Sequence, residues 1–249
     1  MMNKFKKDKK QLSILITAGF PELNSTGKQI LDLQTKGVDF IEVGIPFSDP
    51  MADGPIIQQS SEIALKNGMT LDILFEQLEE TKDEVQTPLV LMGYLNPVLA
   101  FGLEKFLIAC QKVNVSTVII PDLSFEIYQR FYQSTFEKHG VSLVFLITPE
   151  TNEERIRQIE TVSQNSFVYL VSSTKITGSK FEITDELESK YQKIRSILNN
   201  TPLMMGFGIS NLTDAKKAQE YCDGAIIGSA YIKSILNQED LFLTYNEIL

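Results

Sequence analysis

Short β-type segments alternate with amphipathic helical segments along almost the whole of this 249-residue chain. The predicted strands are Ser13–Ala18, Phe40–Gly44, Leu89–Gly93, Thr117–Pro121, Leu143–Thr148, Phe167–Ser172, Leu203–Gly208 and Gly224–Gly228. The predicted helices, in which apolar residues recur every three or four positions, are Ser25–Thr35, Ile57–Lys66, Leu71–Glu84, Leu103–Lys112, Phe125–Lys138, Glu153–Gln164, Glu186–Leu198, Asp214–Tyr221 and Asp240–Leu249. With no Pro/Gly/Ser-rich linker between them, eight strand–helix units predict an α/β fold, a single (β/α)8 TIM-barrel domain over residues 1–249.

The rival architecture is an open, doubly wound sheet. Such sheets usually carry a Gly-x-Gly-x-x-Gly turn after the first strand, and the segment from Ala18 to Pro21 does not have that pattern. In a barrel, the chemistry lies at the C-terminal ends of the strands and in the loops that follow them. Candidate functional residues are therefore sought there.

Charge and composition exclude several classes of function. Lys and Arg number 23 against 32 Asp and Glu, a net charge of −9, which argues against nucleic-acid binding. The apolar run from Leu12 to Ala18 is too short for a signal-peptide core or a membrane span. Two cysteines fit a reduced, cytoplasmic protein, and a single histidine, His139, leaves neither a His-based triad nor a Cys/His metal centre.

Two carboxylates stand out. Glu42 is the one acid in an otherwise apolar strand, and Asp53 follows eleven positions later in a loop stiffened by Pro46, Pro50 and Pro55. A buried ionisable group costs several kcal/mol unless it is compensated. The pair is typical of two acids placed around one substrate. The structural alternative is that Glu42 pairs with a barrel lysine and that the loop is only a tight turn.

Glycines follow both of the last two predicted strands. Gly206, Phe207 and Gly208 end strand seven, while Gly228 and Ser229 end strand eight and begin a short helix. Backbone N–H groups in such turns and at a helix N-terminus bind phosphate, and these are the usual phosphate positions of this barrel. Gly178, in the loop after strand six, adds to the pattern. The alternative is that the glycines merely permit tight turns.

These segments together resemble the α subunit family of tryptophan synthase. The matching stretches are Ile41 to Gln58, Leu91 to Pro97, Pro121 to Leu123, Gly206 to Ser210 and Gly228 to Ala230. The first stretch is very specific, and the resemblance extends from about Leu12 to Lys233. It implies a lyase of tryptophan biosynthesis that cleaves indole-3-glycerol phosphate to indole and glyceraldehyde 3-phosphate.

The resemblance also implies roles for individual residues. Glu42 would exchange protons at ring carbon C3 and at the glycerol hydroxyl, its pKa raised by burial, and Asp53 would stabilise the charge on the indole nitrogen. Tyr169 would sit beside Asp53 and orient it. The indole pocket would be lined by Leu15, Met92, Ile147 and Phe207. The phosphate would bind at Gly178, Gly208, Gly228 and Ser229. No metal or cofactor is implied in this chain.

A partner is implied as well. The family passes indole to a pyridoxal-phosphate-dependent β subunit within an α2β2 heterotetramer. Its interface loops correspond here to Asp49 and Pro50 and to the loop that contains Asn96.

One loop departs from the family pattern. The family commonly has Ser-Arg-x-Gly-Val-Thr-Gly after strand six, and here Ser173 and Lys175 replace the Arg and the first Gly. These changes predict altered loop closure and coupling to the partner. They motivate an alternative, a catalytically weakened barrel that acts mainly as an allosteric or stabilising partner of the β subunit. A different phosphosugar barrel would often need a histidine pair or an acid on another strand, and the chain has neither.

Overall fold

Eight parallel strands close into a barrel in the computed structural model, which describes residues 5–163, 165–172 and 183–242. Each strand pairs with its neighbours in sequence, and β8 pairs with β1. The strands are β1 Gln11–Thr17, β2 Phe40–Gly44, β3 Leu89–Met92, β4 Thr117–Ile119, β5 Ser142–Ile147, β6 Val168–Val171, β7 Leu203–Gly206 and β8 Gly224–Ile227. The predicted closed (β/α)8 barrel is confirmed, and the open sheet is excluded.

Helices cover the outside of the barrel. They are α1 Thr26–Thr35, α2 Pro55–Lys66, α3 Leu71–Thr81, α4 Leu95–Phe101, α5 Leu103–Lys112, α6 Phe125–Ile127, α7 Gln133–Lys138, α8 Glu153–Val162, α9 Asp185–Ile197, α10 Leu212–Tyr221 and α11 Ser229–Leu236. No helix in the described ranges is long and apolar enough to cross a membrane. Of the last predicted helix, residues 243–249 lie outside those ranges.

Capping residues set several helix starts. Asn152 accepts a hydrogen bond from the N–H of Arg155, and Asn211 accepts one from the N–H of Asp214. At the end of α7, Gly140 has a φ of 62°, the left-handed conformation that glycine adopts after a helix.

Two predictions about helices are wrong. The segment that contains Asn96 is not a loop, because Tyr94 caps a helix that begins at Leu95. A proline in the first turn costs no hydrogen bond, so Pro97 is compatible with this short helix. The predicted single helix over Phe125–Lys138 is interrupted by a π-helical turn, Tyr128–Tyr132.

Inward-facing side chains fill the barrel. The strand register places them in layers of four from alternate strands, as is usual for this fold. From the N-terminal end upward the layers are Phe40, Thr117, Phe167 and Gly224; Ser13, Val90, Val144 and Met204; Glu42, Ile119, Tyr169 and Ile226; and Leu15, Met92, Leu146 and Gly206. Phe5 packs against Phe40 and Phe167, with ring centroids 5.3 and 4.9 Å away, and closes the floor.

Candidate active site at the C-terminal end of the barrel

Glu42 lies in the barrel interior, fully buried on β2. Neither carboxylate oxygen has a hydrogen-bond partner among the described residues, and no described lysine pairs with it. Burial without compensation favours the uncharged acid and raises the pKa of Glu42 to about 8. The pairing with a barrel lysine is therefore not found in the described part of the chain. The group holds a proton at neutral pH and can release it.

Asp53 is held by a tyrosine at the end of β3. The hydroxyl of Tyr94 donates to Oδ2 of Asp53 at 3.1 Å and accepts the N–H of Ala52 at 2.9 Å. Burial raises the pKa of Asp53, and the Tyr94 hydrogen bond opposes that shift. Burial and the charge of Asp53 raise the pKa of Tyr94, so its hydroxyl remains a donor. One side chain thus fixes both the carboxylate and its loop.

Tyr169 stands across the barrel from Glu42, on β6 in the same layer. It is buried, and its pKa is raised well above the usual value by burial and by the charges of Glu42 and Asp53. Tyr169 is therefore close to both acids. In the described part of the chain, the hydroxyl that hydrogen-bonds to the Asp53 carboxylate is that of Tyr94.

Three of the four predicted pocket residues face the interior. Leu15 and Met92 share the top layer, and Phe207 meets Tyr169 edge-to-face with ring centroids 6.0 Å apart. The prediction for Ile147 is wrong, because this side chain packs in the layer between the barrel and the helices. Side chains alternate along a strand, so its neighbour Leu146 is the β5 residue that faces inward.

The glycine turns after β7 and β8 lie side by side at the mouth. Gly208 has a φ of 74°, a conformation that favours glycine, and Phe207 adopts 66° despite its side chain. The Ser172 hydroxyl donates to the Phe207 carbonyl at 2.7 Å and holds the turn. Ser229 is the first residue of α11, so its N-terminal N–H groups face the same mouth. Gly178, Ser173 and Lys175 lie outside the described residues.

The predicted interface residues are exposed or partly exposed around the same mouth. Asp49 and Asn96 are exposed, and Pro50 is half-buried. Asn96 lies in the first turn of α4 rather than in a loop. Met51, at the tip of the β2–α2 loop, is 94% exposed.

His139 is remote from this site. It follows the last turn of α7, is almost fully buried, and lies 3.4 Å from the Gln111 side chain through Nδ1. In the residues that the structure covers, no group of three or more His, Cys, Asp or Glu side chains is arranged to hold a metal ion.

The sequence analysis gives no role to two residues that the structure places at the candidate site, Tyr94 and Leu146. The position of Tyr94, one residue past Gly93 at the C-terminal end of a strand, already indicates a place at the mouth of the barrel, whereas its contact with Asp53 is visible only in the structure. Leu146 could have been found from the period of two along β5, counted from Val144.

Comparisons with known proteins agree with this geometry. A protein family described as "Tryptophan synthase alpha chain" matches residues 1–245. The tryptophan synthase alpha chain of Flavobacterium psychrophilum is 52% identical over 233 residues, which cover 93% of this chain and 91% of that protein. The corresponding chain of Christiangramia forsetii is 48% identical, with coverage of 93% and 90%.

Solved structures give the same result. The alpha chain from Legionella pneumophila superposes with a TM-score of 0.83 at 32% identity, covering 94% of this chain and 87% of that one. A chain of the tryptophan synthase complex from Pyrococcus furiosus superposes with a TM-score of 0.80 at 33% identity, covering 91% and 90%. With a family match over nearly its full length and relatives near 50% identity, this chain belongs to the tryptophan synthase alpha chain family.

Proposed function

We propose that this chain cleaves indole-3-glycerol phosphate with Glu42 as the acid–base group and Asp53 as the charge-stabilising group. Family membership makes it a carbon–carbon lyase of tryptophan biosynthesis. The observation that carries the residue assignment is the contrast between the two acids: Glu42 is buried and unpartnered, whereas Asp53 is held by Tyr94. The alternative of a weakened, mainly regulatory barrel is not favoured by the relatives.

The reaction needs a proton at two places. Protonation of indole C3 makes the ring an acceptor for the electrons of the breaking carbon–carbon bond, and loss of the glycerol hydroxyl proton lets the aldehyde form. Glu42, with a pKa near 8, is protonated at neutral pH and can give the first proton and then take the second. Asp53, as a carboxylate, accepts the indole N–H and stabilises the positive charge that develops on the ring.

The apolar top layer and the glycine turns fit the two ends of this substrate. Leu15, Met92 and Leu146 form an apolar wall for the indole ring beside Phe207. The backbone at Gly208 and Gly228 and the start of α11 at Ser229 would bind the phosphate through N–H donors. Backbone donors need no Lys or Arg, in keeping with the acidic chain.

The partner is assigned on the same basis. The chain would dock its mouth on a β subunit through Asp49, Pro50 and Asn96, in an α2β2 heterotetramer in the cytoplasm. Pyridoxal phosphate would belong to the β subunit, and the lyase step described above uses side chains and backbone of this chain without a cofactor.

The test is replacement of each acid by its amide. E42Q and D53N should each lower turnover of indole-3-glycerol phosphate about a hundredfold or more, the scale of a lost acid–base or charge-stabilising group. Glu62, an exposed acid paired with Lys66 on α2, supplies the control E62Q, which should be as active as wild type. Near-normal turnover in E42Q with an intact fold would contradict the proton-transfer role.

A further inference from the structure

An acid at the end of β4 has no role in the chemistry described above. Asp122 follows Pro121 in the segment that leads from β4 to α6, on the C-terminal side of the barrel where the candidate site lies. The N–H of Leu123 donates to the carbonyl of Ile120 at 3.0 Å, which closes a turn around Pro121 and Asp122. Because proline fixes φ at the second position of this turn and Leu123 is buried behind it, a rigid segment carries the Asp122 carboxylate.

The Asp122 carboxylate reaches the neighbouring junction between β3 and α4. Its Oδ1 accepts the N–H of Leu95 at 2.9 Å, although the two residues lie 27 positions apart. The first N–H groups of a helix have no acceptor within the helix. Tyr94 is the N-cap residue of α4, but its side chain makes no capping hydrogen bond. Asp122 therefore caps α4 from another loop and fixes the backbone directly after Tyr94.

The same junction carries the side chain that holds Asp53. The hydroxyl of Tyr94 donates to the Asp53 carboxylate at 3.1 Å and accepts the N–H of Ala52 at 2.9 Å. Burial and the charge of Asp53 raise the pKa of Tyr94, and the charge of Asp122 adds to that shift, which helps to keep the hydroxyl a donor. Hydrogen bonds thus connect three consecutive segments of the mouth, those that follow β2, β3 and β4.

We propose that Asp122 is a positioning residue of the lyase, which fixes the start of α4 so that the Tyr94 hydroxyl stays on the Asp53 carboxylate. The inference rests on the proposed function and adds a further residue to the support of Asp53. Asp122 acts through Leu95 and Tyr94 rather than on the reacting atoms. Once Tyr94 has lost its hydroxyl, the additional loss of Asp122 should therefore change little.

The first experiment measures the hydrogen bond itself, by amide hydrogen exchange of the full chain followed by NMR. The Leu95 amide should be protected in wild type. D122A removes the acceptor and should speed exchange at Leu95 about tenfold, the scale of one hydrogen bond to a charged group, whereas D122N keeps an acceptor oxygen and should retain most of the protection. An unprotected Leu95 amide in wild type, or equal exchange in wild type and D122A, would overturn the inference.

The second experiment measures the pH profile of kcat/KM for indole-3-glycerol phosphate. D122A should lower kcat/KM several-fold and move the acidic limb to higher pH, because it weakens the Tyr94 hydrogen bond that opposes the rise of the Asp53 pKa caused by burial. D122N should behave nearly as wild type, since it still caps Leu95. Adding D122A to Y94F should have little further effect.

The matched control is D39A. Asp39 is also an exposed acid that accepts a backbone N–H from a distant segment, that of Leu12 at 2.8 Å, but it lies at the N-terminal end of the barrel. D39A should therefore leave the pH profile unchanged. A wild-type profile in D122A, or additive losses in the double variant with Y94F, would overturn the positioning role. A wild-type chain that does not cleave the substrate would instead contradict the proposed function, while the exchange result at Leu95 would stand.

Discussion

The ring of Tyr169 occupies the space that a β-carbon at Gly206 would need. A methyl group there would lie 2.7 Å from ring carbon Cε1 and closer still to the hydroxyl oxygen. G206A should therefore lower the free energy of unfolding by about 1–3 kcal/mol through overpacking and reduce activity by displacing Tyr169.

Urea unfolding of single and double variants checks this relationship. Y169L, whose side chain is shorter, should recover most of the stability in the G206A background. Additive effects of G206A and Y169L would contradict the packing explanation.

Tyr94 should matter for catalysis through Asp53. Y94F removes the hydrogen bond that lowers the pKa of Asp53, so the acidic limb of the kcat/KM profile should move to higher pH. Loss of a hydrogen bond to a charged group predicts a fall in kcat/KM of about tenfold or more. The matched control is Y132F, in the π-helical turn outside the barrel, whose profile should coincide with that of wild type.

The raised pKa of Glu42 predicts a pH-dependent stability. In the unfolded chain the carboxyl ionises near pH 4.5, but in the folded protein it keeps its proton up to about pH 8. The buried carboxyl costs no stability below pH 4.5, where it is protonated in both states; between about pH 4.5 and 8 the folded protein loses stability, by about 5 kcal/mol in all.

Urea unfolding of wild type and E42Q at pH 5, 7, 8.5 and 9.5 tests this directly. E42Q removes the titration, so wild type should lose stability relative to E42Q between pH 5 and 8 and stay parallel to it above pH 8.5. A constant difference across the range would mean that Glu42 is not protonated in the folded protein.

The phosphate assignment is tested at Gly208. A methyl group at this turn should raise KM for indole-3-glycerol phosphate and weaken inhibition by inorganic phosphate. Gly37 has a φ of 75°, nearly equal to the 74° of Gly208, and open space around it, so G37A applies the same backbone strain away from the mouth. Equal KM changes in G208A and G37A would show that Gly208 serves only the turn and does not contact the phosphate.

Substitutions at the neighbouring β5 residues Leu146 and Ile147 should affect different quantities, substrate binding in the first case and stability in the second. L146V shortens a side chain that faces the barrel interior, so it should enlarge the pocket and change KM for the substrate. I147V should lower the free energy of unfolding by about 0.5–1.5 kcal/mol and leave KM unchanged. Steady-state kinetics paired with urea unfolding separate the two effects. A KM change confined to I147V would show that Ile147 rather than Leu146 lines the pocket.

The barrel could be predicted because its signal is local and repeated. Each strand buries both faces, so apolar runs such as Leu89–Met92 are visible in the sequence, and caps such as Asn152 mark the helix starts. Glu42 could be predicted as a functional residue for a related reason, because a single acid in an otherwise apolar, buried strand stands out in the sequence.

Other features depend on contacts between distant segments. The hydrogen bond between Tyr94 and Asp53 joins residues 41 positions apart. Phe5 packs against Phe167, which lies far along the chain, just before β6. The Ile147 error has a different origin: the residue type suited a pocket, but the facing of a strand is decided by its register with the neighbouring strands.

The packed rings of Phe5, Phe40 and Phe167 close the N-terminal end of the barrel, so its interior is open only at the C-terminal end. A small apolar product released near Glu42 has packed rings beneath it and must depart past the glycine turns and the Asp53 loop. A protein that docks on that rim therefore lies on the path by which the product leaves. A lyase built in this way can release its product toward a neighbouring protein without a separate channel of its own, because the product can leave in one direction only.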